Sequence, residues 1–348
     1  MRMRTLPIAS VGLFCLTISS ALSDPTIGYR ELQIPAEHRE QLIRASLWYP
    51  TSSNGREALV GDNAVFSGGP VQRDAEMAQG RFPLVLMSHG SGGSAENMNW
   101  LASALVRDGG MVLAVNHPGS TTGNADPKRA VRHWTRPKDL SAALDYILAD
   151  RELSGRIDRD DISGLGFSLG GASIFSLGGG RMDLARYLDY CRTNRNRAED
   201  CLHFVRGGVD LATLPQAEFE QELADRRIKR LIGIDPGLIF GMAEDSIRSI
   251  KLPSLVINLG TGTNRLFAAN SGPDGNRLSE LVPDMRYHVV PAANHFSFLA
   301  LCKHEGARIL REEGEDPICD EPPGGNRAEV HRKILRLIRN FLSPQPAG

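Results

Sequence analysis

The sequence carries no excess of charge of either sign: 40 Lys and Arg stand against 41 Asp and Glu, a formal net charge of −1. That balance gives no footing for nucleic acid or an anionic membrane surface as the main partner. No apolar run reaches the ~20 residues that a spanning helix requires, so no stable membrane span is expected. The zinc-site pattern HExxH is absent, and Cys302 and His304 have no further ligands at useful spacing, so no metal site is expected. No organic cofactor is expected either. There is neither an internal repeat nor a low-complexity tract. Cysteine is scarce, with five in 348 residues.

What is present is ordinary globular composition, 41% hydrophobic and 23% charged, with length enough for a large core. The opening MRMRTLPIASVGLFCLTISSALS sets two arginines before an apolar run and ends on small residues. That is the layout of a secretory signal, with cleavage before Asp24. Residues 1–23 are therefore read as leader and 24–348 as the mature domain, exported to the periplasm or beyond. Four cysteines remain, an even set that favours disulfides in an oxidising compartment. Cys191 with Cys201 and Cys302 with Cys319 are the predicted pairs, because each lies within one local polar segment.

Along the mature chain strands alternate with helices. RELQIP and RASLWYP read as two early strands, followed by a loop rich in Gly, Ser and Asn. PLVLMSHGSGG is a continuous apolar run ending in a glycine-rich turn, as a strand buried on both faces should be. AENMNWLASALVRD has helical spacing, and MVLAVNHPG is the next strand. Pro137 marks the first turn of a helix that continues through DLSAALDYILAD. DISGLGFS runs as a strand into the helix LGGASIFSL; RLIGID, SLVINLG and YHVVPAAN supply three more strands, and KILRLIRNFL closes the chain. The pattern predicts an α/β fold with a mostly parallel central sheet and helices on both faces. Residues 181–230 interrupt it. With 19 of 50 positions charged, they read as a helical surface insertion after the helix LGGASIFSL, either a lid or a decorated loop.

The chemistry centres on Gly166-Phe167-Ser168-Leu169-Gly170. The GxSxG pattern alone is weak, but here it lies between an apolar strand and a helix of small residues, where a tight turn exposes the serine hydroxyl. Ser168 is the candidate nucleophile. A serine attacks nothing until a base takes its proton. In a sheet of this kind the partners follow in the order serine, acid, histidine, which selects His295, just past the last strand, with His304 as fallback. Asp235 ends RLIGID and is the candidate acid; Asp274 in SGPDGN is the alternative. The glycine-rich turn at residues 90–93 predicts that the Ser91 amide, with that of Leu169, forms the oxyanion hole.

These blocks, from LWYP through SHGSGG, NHPG, GFSLGG and IDPG to ANHFSF, resemble those of the secreted α/β-hydrolases similar to platelet-activating factor acetylhydrolases and to bacterial predicted dienelactone hydrolases. The resemblance implies the α/β-hydrolase fold, places the acid at Asp235 and puts the oxyanion donor after His-Gly at Ser91. Phe167 stands where such motifs often have histidine. Ser168 replaces the cysteine of true dienelactone hydrolases, which speaks against that activity. The expected function is a serine hydrolase acting on carboxylic esters, with short acyl chains, on a small-molecule or lipid substrate. The alternatives are a polyester or amide hydrolase, or a hydrolase-fold binding protein without turnover.

Overall fold

The computed structural model describes residues 26–343; the expected leader lies outside them. Ten strands form one sheet: β1 (Thr26–Ile34), β2 (Ile43–Thr51), β3 (Arg56–Val60), β4 (Gly69–Arg73), β5 (Phe82–Ser88), β6 (Met111–Asn116), β7 (Ile157–Phe167), β8 (Arg230–Ile234), β9 (Ser254–Leu259) and β10 (Met285–Val290). Their spatial order is β10-β9-β8-β7-β5-β6-β2-β1-β4-β3. From β10 to β6 every neighbouring pair is parallel; β2 then pairs antiparallel with both β6 and β1. The expected mostly parallel sheet is present.

The apolar alternation along each central strand divides the core in two. Leu84 and Leu86 of β5 and Met111, Leu113 and Val115 of β6 face one side; Val85, Met87, Val112 and Ala114 face the other. Successive side chains point to opposite faces of a strand, so both faces need cover, which is why these strands read as unbroken hydrophobic runs. Helix α1 (Asn99–Arg107) and the closing helix α7 (Arg327–Leu342) cover one face through Leu101, Leu105, Ile334 and Ile338. Helices α2 (Thr135–Ala149) and α3 (Leu169–Leu177) cover the other through Leu140, Leu144, Ile174 and Phe175. Among the described residues no helix is long and apolar enough to cross a membrane.

The segment read as one loop after RASLWYP contains β3 and β4, which pair antiparallel from Arg56↔Arg73 to Val60↔Gly69. They form the sheet's far edge. Their sequences gave no signal because edge strands are short and polar on the open side, and β4 opens on Gly-Pro.

The charged insertion does form helices, α4 (Leu184–Thr193) and α5 (Glu199–Arg206), with a further helix, α6 (Gly306–Glu313), later in the chain. The insertion's charges, Asp200 excepted, reach solvent, while Tyr187, Tyr190, Phe204, Leu211 and Phe219 join the core on the side of α2 and α3. Cys191 and Cys201 form a disulfide between α4 and α5, and Cys302 and Cys319 form the second, both as predicted.

Beside the first disulfide lies a buried carboxyl. Asp200 Oδ1 accepts from the Cys201 amide at 2.9 Å and the Tyr190 hydroxyl at 3.1 Å, while Oδ2 has no partner among the described residues. Burial raises its pKa to about 6. A carboxyl raised in the folded state favours folding below its unfolded value, and that contribution is lost as pH climbs through the folded value. Asp200→Asn cannot ionise, so its stability relative to wild type should grow by on the order of 2 kcal/mol between pH 4 and pH 8. Urea unfolding at the two pH values checks this; an equal difference at both would refute it.

Candidate active site

The turn from β7 into α3 leaves no room for side chains around Ser168. A Cβ on Gly166 would lie 2.1 Å from the Gly170 carbonyl oxygen, and one on Gly170 would lie 2.0 Å from that of Ser88. Glycine is required at both. Ser168 itself has φ 52° and ψ −123°, a region costly for a residue with a side chain and populated mainly where the surroundings force it. Its carbonyl is held by the amides of Gly171 and Gly237, each at 2.8 Å, and its own amide donates to Ile234 O at 3.0 Å. The hydroxyl is thereby presented at the carboxyl end of the sheet, half-buried.

His295 reaches it from the loop after β10. Its Nε2 lies 3.1 Å from Ser168 Oγ, and its Nδ1 lies 3.0 Å from Asp235 Oδ2. The loop is fixed locally: Asn294 accepts from the amides of Phe296 and Ser297, and its own amide donates to Ser297 Oγ. The second disulfide adds an outer tie, since Asn294 Nδ2 donates to Asp320 O and Ser297 Oγ to Glu321 beside Cys319. Asp235, at the end of β8, is fully buried. Its Oδ1 accepts from Asn258 Nδ2 at 2.9 Å and the Leu259 amide at 2.7 Å, so Oδ2 is left for the histidine. A carboxylate can only accept, so the proton lies on Nδ1 and Nε2 is free to receive one from Ser168.

Ser168, His295 and Asp235 are thus brought together. Asp274 is not: it lies exposed in the loop after β9. His304 is also remote in function, fully exposed and paired with Glu305. The turn at residues 90–93 abuts the serine, since a Cβ on Gly90 would lie 3.0 Å from Ser168 Cβ. Among the described residues the amides of Ser91 and Leu169 donate to no protein acceptor.

Two neighbours were assigned no role from the sequence. Phe167 stacks on the His295 ring, centroids 4.7 Å apart, and on Phe298 at 4.4 Å; the departure from histidine in the motif gives the imidazole an apolar wall. Asn258, read only as part of the strand SLVINLG, holds Asp235. An asparagine buried near a strand's carboxyl end was the available clue.

No protein-family model matches the chain. A cutinase, Est1 of Thermobifida alba, is 29% identical over 121 residues, which is 34% of this chain and 37% of that protein. The chain therefore matches only about a third of that relative's length. The solved ferulic acid esterase from Streptomyces cinnamoneus superposes over 94% of both chains with a TM-score of 0.61 and 19% sequence identity. The chain has the α/β-hydrolase fold.

Proposed function

We propose that the protein is an exported serine hydrolase of carboxylic esters. The observation that carries the reading is His295 bridging Ser168 and Asp235 at 3.1 and 3.0 Å. His295 Nε2 takes the proton of Ser168 as Oγ attacks the ester carbonyl carbon. The negative charge that develops on the carbonyl oxygen is held by the Ser91 and Leu169 amides, and Asp235 stabilises the imidazolium. As the C–O bond to the alcohol breaks, His295 returns the proton to the departing oxygen. An acyl group remains on Ser168. Water, deprotonated by His295, then attacks it, and the carboxylic acid leaves as Ser168 regains its proton.

Both named relatives are ester hydrolases by their names, which supports the reaction class. Short acyl chains are the proposed preference, in line with the resemblance to platelet-activating factor acetylhydrolases. The two disulfides support export, since such bonds persist in oxidising compartments. The test is labelling of the mature protein with a fluorophosphonate, followed by peptide mapping and a series of model esters. Modification at Ser168 and highest turnover at or below butyrate are expected. A folded protein that resists labelling would overturn the reading in favour of a binding protein, and activity confined to longer chains would overturn the acyl preference.

A further inference from the structure

A cluster of buried polar groups lies directly beneath the glycine-rich turn, and the reaction just described makes no use of it. Ser88, His117 and Asp139 are fully buried and Arg136 is 2% exposed. His117 Nδ1 lies 2.9 Å from Asp139 Oδ2 and its Nε2 lies 2.9 Å from Ser88 Oγ. Burial, with the nearby Arg136 charge, pushes His117 down to about 3, so the ring is neutral. Because the carboxylate only accepts, Nδ1 carries the proton and Nε2 receives the Ser88 hydroxyl. Ser88 Oγ accepts in turn from Arg136 Nη2 at 3.2 Å.

The atoms repeat the Ser–His–Asp order of the exposed site, yet Ser88 has no access to substrate and its hydroxyl is committed. This relay is a clamp. Asp139 is anchored further by His38 Nε2 at 2.7 Å and by Arg39 Nε and Nη2 at 2.7 and 2.6 Å. Burial alone would raise the Asp139 carboxyl, but the hydrogen bonds from His117, His38 and Arg39 outweigh it and hold the group well below the usual range.

What the clamp grips is the backbone next to the nucleophile. Arg136 donates to the His89 carbonyl, to Ser120 Oγ at 2.5 Å and to Ser173 Oγ of α3 at 3.2 Å. His89 accepts the His117 amide at Nε2, 3.2 Å, and donates from Nδ1 to the Gly90 carbonyl at 2.7 Å. Two successive carbonyls, those of His89 and Gly90, are therefore fixed from the protein side. A trans peptide sends its C=O and N–H in opposite directions. Holding Gly90 O fixes the direction of the Ser91 N–H on the same peptide plane.

We infer that Arg136 and His89, backed by the Asp139–His117–Ser88 relay, are positioning residues that aim the Ser91 amide at the oxyanion. The inference rests on the proposed role of Ser91 in ester hydrolysis. Lysine at position 136 keeps the charge but cannot reproduce the planar fork that reaches His89 O and the serines together. The test compares Arg136→Lys with wild type, as full mature chains, on a butyrate ester and on its thionoester, whose C=S sulfur is a poor hydrogen-bond acceptor and draws little from an oxyanion hole.

The expected result is kcat for the oxoester lowered about 10- to 100-fold, part of what losing a whole oxyanion donor costs, with KM within about twofold and thionoester turnover nearly unchanged. The preference for oxygen over sulfur collapses. Parallel loss on both substrates would mean a purely structural role and would overturn the inference, as would an unchanged ratio. If Arg136→Lys does not fold, Ser88→Ala, which removes one link of the relay without removing charge, is read by the same ratio. A wild type without Ser168-dependent turnover would sink both this inference and the esterase reading. A normal wild type with an unmoved ratio in the variants sinks this one alone.

Discussion

Ser168→Ala is expected to lower kcat for a butyrate ester by about 10⁴- to 10⁶-fold while leaving the fold intact. In the proposed mechanism the hydroxyl is the atom that forms the acyl bond, and among the described residues no second nucleophile shares the position facing His295 Nε2. Its removal costs the covalent route, not substrate binding, so ester affinity should persist. His295→Ala should lose a similar amount, and the double variant little more, because the two groups act as one unit. Steady-state rates of the three purified variants, each with its melting temperature, decide the point. Retention of a tenth of wild-type activity by Ser168→Ala would mean that another group attacks the ester. Independent, multiplying losses in the double variant would mean that His295 does not activate Ser168.

Asp235→Asn carries the second-largest expected effect, about 10⁴-fold in kcat. The substitution is nearly isosteric, and the asparagine Oδ1 still accepts from Asn258 and Leu259, which hold that oxygen in the native site at 2.9 and 2.7 Å. The amide NH₂ then faces His295 Nδ1. A donor there makes Nδ1 the acceptor, moves the ring proton to Nε2 and turns a hydrogen towards Ser168 Oγ, so the base is in the wrong tautomer. Asp274→Asn, in the exposed loop, should leave kcat within about twofold of wild type, as surface substitutions away from such groups usually do. The reverse outcome, loss in Asp274→Asn with Asp235→Asn active, would move the acid to Asp274.

Much of this arrangement was legible in the sequence because its signals are local. A nucleophile turn needs glycines where a strand runs into a helix, and Gly166 and Gly170 mark that contact in one short stretch. Strands covered on both faces announce themselves as unbroken apolar runs, which is why β5, β6 and β9 were readable. Chain order in this sheet architecture led to His295 and Asp235. The outermost strands β4 and β3 were not readable, since their pairing is a tertiary event written in five-residue segments with few buried side chains. The insertion was read as surface from its charge density; the aromatic residues that pack it into the core are spaced too irregularly among those charges to form a visible stripe. Asn258, Phe167 and the Ser88–His117–Asp139 clamp depend on which strands end side by side. No spacing along the chain records that neighbourhood.

The six parallel strands deliver their carboxyl ends to one edge of the sheet, and Ser88, Ser168, Asp235 and Asn258 stand at or within a residue or two of those ends. The placement of Ser168 against Asp235 is therefore fixed by strand register, while His295 is set by its own capped loop and the other post-strand segments are free to vary. The 61 residues between Ser168 and the start of β8 show how far such a segment can lengthen without disturbing the register of Gly166 with Gly233. In evolutionary terms the catalytic distances and the loops that meet substrate are separately mutable. If the proposed activity holds, a lineage built on this scaffold can exchange the substrates it recognises by rewriting loops while the Ser168–Asp235 placement is inherited unchanged.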